Sequence, residues 1–445
     1  MTSYPLTVII DKTRSRVFES ISPVIDRASI HEAFTRETSR ERIYHAWPLF
    51  QMWLHQSVTG TSCRETVSWA ASNGLIPPYV SPRTAAYCNA RIRLPEAPMK
   101  DILVSIGRAV EESADRRRRS FHRRVLVVDG TSVQLQDTPE NQREYPQPKG
   151  QKPGCGQPVM SAVALMGLGS GAILDLAIGG GLGHERALFR QLWPSLVPGD
   201  ILIADNGFCS YAEFACLTER GVDLIMAQRE SSFNNKEFRE IGDEDYIVLW
   251  PRGEQKLKWI ERGTLPNRLI VRAVTFSRVG RDGLAVRKVL FTTLLDPALY
   301  PRKKILELYR RRWEVEVSFD DIKTQMGLAL LRCKSPKQCR CELLIGLIAY
   351  NIVRTVMLDA ARHAGADPRR ISFAGAVARI KTCLNSLLFS KDPVLAYAML
   401  VKHLAIDRVP KRPDRDEPRK VKRRPKNYRR LTSPRNPSLH AASNA

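Results

Sequence analysis

Two short runs of unbroken apolar residues, Val125-Leu-Val-Val and Ile201-Leu-Ile-Ala, each close on an aspartate, Asp129 and Asp205. A short apolar run bounded by turn signals reads as a strand buried on both faces, and such strands belong to sheets covered by helices. A carboxylate at the end of such a strand is costly unless it holds a cation or finds hydrogen-bond donors. Strand ends in α/β sheets are also where ligands gather. Singly, Asp129 before Gly130 could be a turn dipeptide. Two such acids on neighbouring strands weaken that reading for both.

The surrounding segments give the order strand, strand, strand, helix, strand, helix, strand. Residues 159–178 are apolar and broken by Gly167, Gly169 and Gly171, which predicts two strands joined by a turn. Helices are expected over 184–196 and 211–220, and a further strand over 222–228. This mixed α/β order matches a ribonuclease-H-like core, placed at 116–229 and completed by 305–360. Residues 230–304 switch to β patterning at 246–250, 268–279 and 286–294, and predict a β-rich insertion with its own small sheet. Helical periodicity resumes at Lys304, with C-terminal helices over 361–405.

The chain holds 70 Lys and Arg against 46 Asp and Glu, a formal charge of +24, which points to a polyanionic partner. With 43% apolar residues it has enough for real cores, so wholesale disorder is excluded. Residues 406–445 are the exception: basic, proline-interrupted and expected to be disordered alone. The best candidate membrane segment, 343–358, carries Asn351 and Arg354 and is too short; no secretory signal is expected at the N-terminus. A cytoplasmic, nucleoid-associated protein is therefore expected, with no membrane partner. Nine cysteines without regular spacing suggest no disulfide framework. Cys333, Cys339 and Cys341 raise zinc as an alternative to buried thiols, but no histidine follows at finger spacing.

Residues 1–115 are expected to form a helical N-terminal domain. Within it, Ser81-Pro82 opens a helix over 83–93, a serine cap preceding proline at the first helical position. That helix carries Arg83, Tyr87 and Arg91 and follows another short helix across a turn, as in a helix-turn-helix DNA reader. An ordinary helical bundle with a solvated face is the competing reading.

A third acid comes from Tyr309-Arg-Arg-Arg-Trp-Glu-Val-Glu-Val-Ser-Phe-Asp-Asp-Ile-Lys323. On a helix advancing about 100° per residue, Tyr309, Arg312, Glu316 and Lys323 share a face about 60° wide. Asp320 lies on the same face, so geometry alone leaves Glu316 and Asp320 both open. An exposed ion-pair helix is the structural alternative. Three carboxylates meeting at one point suit two divalent cations about 3.5–4 Å apart. Mg²⁺ prefers oxygen ligands and Mn²⁺ is expected to substitute. Such a site would activate a water or 3′-hydroxyl for in-line displacement at phosphorus, with Arg312 and Lys323 placed to hold phosphate oxygens.

Tyr309, Arg312, Glu316 and Lys323 also fit the spacing Y-x2-R-x3-E-x6-K. In this the chain resembles the insertion-sequence-four family of bacterial DDE transposases. Asp129-Gly-Thr is similar to the first acidic motif of that family and Ala204-Asp205-Asn-Gly-Phe to its second. The resemblance implies Asp129, Asp205 and Glu316 as catalytic metal ligands, and Tyr309, Arg312 and Lys323 as DNA contacts near the cleaved phosphate. It implies a transposase that binds terminal inverted repeats, hydrolyses phosphodiesters at the element ends and joins the 3′-OH strands to target DNA. A homodimer pairing two ends of double-stranded DNA is expected. Trp250 and Trp259 are candidates to hold a flipped base, beside their reading as core residues. Asn206 departs from the arginine common at that position. His184 and Glu185 read mainly as helix-start residues, with a place near the metal site as the alternative. A catalytically inactive DNA-binding protein and a Mg²⁺-dependent nuclease without strand transfer are the competing functions.

Overall fold

A computed structural model describes residues 43–410 and 433, apart from 82, 115–119, 181–184, 235, 255–256, 280–284 and 390. His184, all of 1–42 and the basic tail apart from 406–410 and 433 lie outside the described residues. Among the described residues the first helices are α1 (Ala46–Thr59), α2 (Cys63–Ser72), α3 (Ala85–Arg93) and α4 (Glu96–Ser113). The core then runs β1 (Val125–Gln134), α5 (Pro139–Glu144), β2 (Val159–Gly167), β3 (Ile173–Gly180), α6 (Glu185–Gln191), β4 (Ile201–Ala204), α7 (Tyr211–Glu219) and β5 (Asp223–Gln228). Next come α8 (Glu230–Asn234), β6 (Glu237–Gly242), β7 (Asp245–Pro251), β8 (Arg268–Val279) and β9 (Ala285–Thr292). The chain continues with α9 (Arg302–Arg310), α10 (Trp313–Asp320), a π-helical turn (Asp321–Gln325), α11 (Pro336–His363), α12 (Phe373–Phe389) and α13 (Pro393–Ile406).

The nine strands of the described residues form one sheet in the order β3-β2-β1-β4-β5-β9-β8-β7-β6. The first five carry the ribonuclease-H-like arrangement: β3, β2 and β1 pair antiparallel, and β4 and β5 run parallel to β1. The β-rich stretch does not make its own sheet. Its last strand, β9, pairs antiparallel with β5, Phe291 opposite Met226, so β6–β9 extend the core sheet. The physical reason is edge pairing: an unpaired β5 would present a row of free N–H and C=O groups, and β9 satisfies them.

Alternation along the central strands sorts side chains into two layers. Val125 and Val127 of β1 and Ile201 and Ile203 of β4 face a helical layer built from α1, α4 and α9–α13. Leu126, Val128, Leu202 and Ala204 face the other side, against Leu188, Phe189, Phe208, Phe214 and Trp250. The N-terminal helices are part of this packing, since α1 and α4 both lie on α11. Helix α11 is long and apolar enough to cross a membrane, but 83% of its most apolar window is buried inside the protein.

Three local expectations change. Strand β1 does not stop at Asp129 but continues to Gln134, paired with β2 after β4 has ended. Helices α2 and α3 are joined by residues 73–84, far longer than the turn of about three or four residues in a helix-turn-helix. The uniform helix expected over 309–323 is interrupted. The N–H groups of Arg311, Arg312, Glu314 and Val315 each bond three residues back, tightening the turn between α9 and α10. Residues 321–325 then widen into the π turn, so a single angular step does not describe the face.

Candidate active site

The parallel ladder between β1 and β4 matches Val125 with Ile201, Leu126 with Leu202 and Val127 with Ile203. Two residues further along each chain stand Asp129 and Asp205. By the two-residue period both continue the rows that face the helical layer. Helix α10 packs on β1 from that side, with Val315 fully buried in the layer that holds Val127 and Ile203. Glu316 is thereby brought near Asp129.

Arg312 makes the junction. Its Nη1 donates to Asp129 Oδ2 at 3.0 Å and its Nη2 to Glu316 Oε1 at 3.0 Å. Backbone donors fix the aspartates: the Gly130 N–H meets Asp129 Oδ1 at 2.8 Å, and the Gly207 N–H meets Asp205 Oδ1 at 2.7 Å. Burial pushes the Asp129 carboxyl up to about 6; the Gly130 N–H and Arg312 work against this, while Asp205 and Glu316 add to it. Burial also raises the Tyr309 hydroxyl, and Arg312 opposes that rise. Lys323 is lowered by burial and partly restored by Asp320.

Glu316 and Asp320 have different surroundings. Asp320 is exposed, accepts from Thr324 Oγ1 at 3.1 Å and neighbours Lys323, while the contact to the Asp129 guanidinium partner is made by Glu316. The turn carrying Lys323 is tied to β1 just beyond the acids, because Gln134 donates to Ala329 and accepts from Leu331. Among the described residues, no group of three His, Cys, Asp or Glu side chains is arranged to hold a metal ion. The chemistry of the donor set nevertheless fits a hard divalent cation: the carboxylates are oxygen-only donors, Asp129 and Glu316 joined by one guanidinium and Asp205 near enough to raise Asp129. Glu185 also lies close by, since a Cβ on Gly130 would sit 2.4 Å from its Oε1. The glycine after Asp129 was the available signal for that approach.

Other candidates fall elsewhere. Tyr87 is fully buried and donates to Gln56 Oε1. Arg91 bonds the same Gln56 oxygen at 2.9 Å, lies over the Trp53 ring and reaches Cys333 Sγ at 3.5 Å. Both are interior side chains, so they do not form a DNA-reading face; their polar groups pair with partners distant in sequence. Arg83 alone of the three is exposed. Cys333, Cys339 and Cys341 are buried free thiols. Trp250 is core, edge-on to Phe214 and Phe291, and Trp259 is half-buried beside Trp193 with Arg190 over its ring. The exposed tryptophan is Trp313, directly after Arg312, which the sequence reading passed over.

A sheet whose first five strands follow the order 3-2-1-4-5, with its helices on both faces, defines a ribonuclease-H-like protein. The family model of the transposase DDE domain matches residues 120–352, just over half of the chain, and spans both acidic strands and the Tyr309–Lys323 segment. The chain belongs to that family, as an insertion-sequence transposase of the insertion-sequence-four type. It is 28% identical over 319 residues to the transposase InsG for insertion sequence element IS4 of Escherichia coli strain K12, covering 68% of this chain and 69% of that protein. Among solved structures it is similar to a piggyBac transposase in a synaptic complex with hairpin DNA, with a TM-score of 0.41 at 10% identity, covering 93% of this chain and 88% of the other.

Proposed function

We propose that this transposase binds the terminal inverted repeats of its element, cuts phosphodiesters at the ends and joins the freed 3′-OH strands to target DNA. The observation that carries the reading is that Arg312 joins Asp129 to Glu316 at 3.0 Å each, while Asp205, two residues beyond the ladder partner of Val127, is near enough to raise the Asp129 carboxyl. These three acids would hold Mg²⁺, with Mn²⁺ as a substitute. When bound, the ions supply activation of the nucleophile and stabilisation of charge at the leaving oxygen. Tyr309, Arg312 and Lys323 line the same approach and orient the strand by its phosphates. The N-terminal helices of residues 1–115, the basic tail and the exposed Arg83 supply further phosphate contacts, and two copies pair the two ends.

Cleavage of a labelled terminal-repeat duplex in Mg²⁺ or Mn²⁺ tests this. Asp129→Asn, Asp205→Asn and Glu316→Gln should each lower the rate at least about a hundredfold while duplex binding persists. Asp320→Asn should cleave normally. Loss in Asp320→Asn with full activity in Glu316→Gln moves the third acid one turn along the chain. Full activity in Asp129→Asn removes the reading altogether.

A further inference from the structure

Arg312 is engaged with the two acids that approach from different elements, Asp129 on β1 and Glu316 on α10. Both contacts are 3.0 Å, one from each terminal nitrogen, so the flat guanidinium spans the gap between the carboxylates. It is also largely enclosed, with 18% of its side chain exposed, and Tyr309 packs beside it. A divalent cation held by Asp129 and Glu316 would compete with the guanidinium for the negative charge of the same two carboxylates. A guanidinium leaving that enclosure needs another anion in reach, because burial opposes an unpaired charge.

Resting on the reading of these acids as metal ligands, we propose that Arg312 is a positioning residue that couples metal loading to DNA. A backbone phosphate draws the guanidinium off Asp129 and Glu316, and the released oxygens become available to the cation. Without DNA, Arg312 and the cation compete. Coupling of this kind is reciprocal: whatever factor DNA adds to metal affinity, the metal adds to DNA affinity.

The test uses the full chain and Mn²⁺ alone, with binding read from the paramagnetic resonance signal of free Mn²⁺. Without DNA, Arg312→Gln should bind Mn²⁺ about tenfold more tightly than the unaltered protein. Adding a short duplex of arbitrary sequence should tighten Mn²⁺ binding by a similar factor in the unaltered protein and scarcely at all in Arg312→Gln. A second measurement needs no variant: at fixed ionic strength, Mn²⁺ should tighten duplex binding by the same factor, read by fluorescence anisotropy. Equal or weaker Mn²⁺ binding in Arg312→Gln overturns the coupling, as does duplex affinity in the unaltered protein that ignores Mn²⁺. Asp129→Asn separates the two levels of failure. If it abolishes Mn²⁺ binding while Arg312→Gln does not tighten it, the coupling alone is wrong. If it leaves Mn²⁺ binding unchanged, the acids are not the metal ligands and the coupling falls with them.

Discussion

Val127 stands directly opposite Ile203 in the parallel ladder, and both side chains are fully buried in the helical layer. That pairing sets the level and the face of Asp129 and Asp205, because a strand side chain changes face with every residue. Exchanging neighbours tests it. In the double variant Ala204→Asp with Asp205→Ala, the carboxylate moves to the row of Leu202, a buried apolar layer. Unfolding in urea should show a loss of about 3–5 kcal/mol, whereas Asp205→Ala alone should cost little. Cleavage should be absent in both. A doubly exchanged protein as stable as the parent would mean that the register does not govern this site.

Arg91 illustrates a residue whose chemistry is visible in sequence and whose place is not. Its guanidinium is shared among Gln56, the Trp53 ring and Cys333, and burial is offset by neighbours that hold its charge. Arg91→Ala should therefore lower stability by about 2–4 kcal/mol, from a lost charged hydrogen bond and a lost cation–π contact. Nonspecific duplex affinity of the folded fraction should stay unchanged. A clear fall in affinity with unchanged stability would return Arg91 to the DNA surface.

The difference between what could and could not be read follows from the range of the interactions. The apolar runs ending at Asp129 and Asp205, and the spacing from Tyr309 to Lys323, are local patterns that survive folding intact. The junction of β5 with β9 is not local, because nothing in the composition of 285–292 says whether its partner is another insertion strand or the core edge. Tyr87 and Arg91 looked like a solvated polar face because their partners, Gln56 and Cys333, lie far away in the chain. Glu316 and Asp320 could not be separated on a uniform helix. Their different surroundings come from Arg312, which reaches Asp129 only once α10 is packed on β1.

Arg272 shows how the added strands bear on the site. It is fully buried, its Nε meets Asp245 Oδ1 at 2.7 Å, and its Nη1 donates to the carbonyls of Leu294 and Tyr300. It thereby fastens β7 and β8 to the segment that leads into α9, the helix immediately before the one that carries Glu316. Arg272→Ala strands Asp245 as a buried unpaired acid and should cost about 3–5 kcal/mol. Replacing both partners by apolar residues of similar size, Arg272→Met with Asp245→Leu, should recover part of that loss. If the double variant is no more stable than the single one, the carbonyl contacts, and not the ion pair, hold this corner.

His55 gives the helical layer its own pH dependence. Its ring is buried on α1 and stacks on Trp69 with centroids 3.7 Å apart and planes 13° from parallel. Burial alone drives it down to about 4 from the ordinary 6.5. The fold thus favours the neutral imidazole, and the unfolded chain takes up the proton first. The contribution is fully present above about pH 6.5 and is lost as the pH falls toward about 4; integrated over that window it is on the order of 3 kcal/mol. His55→Phe keeps a ring for the stack and removes the titration. Urea midpoints across that range should then fall less steeply in the variant than in the parent, even though carboxylates elsewhere titrate in both. Curves that stay parallel from neutral pH to about 4 would show that His55 accepts its proton in the folded state without penalty.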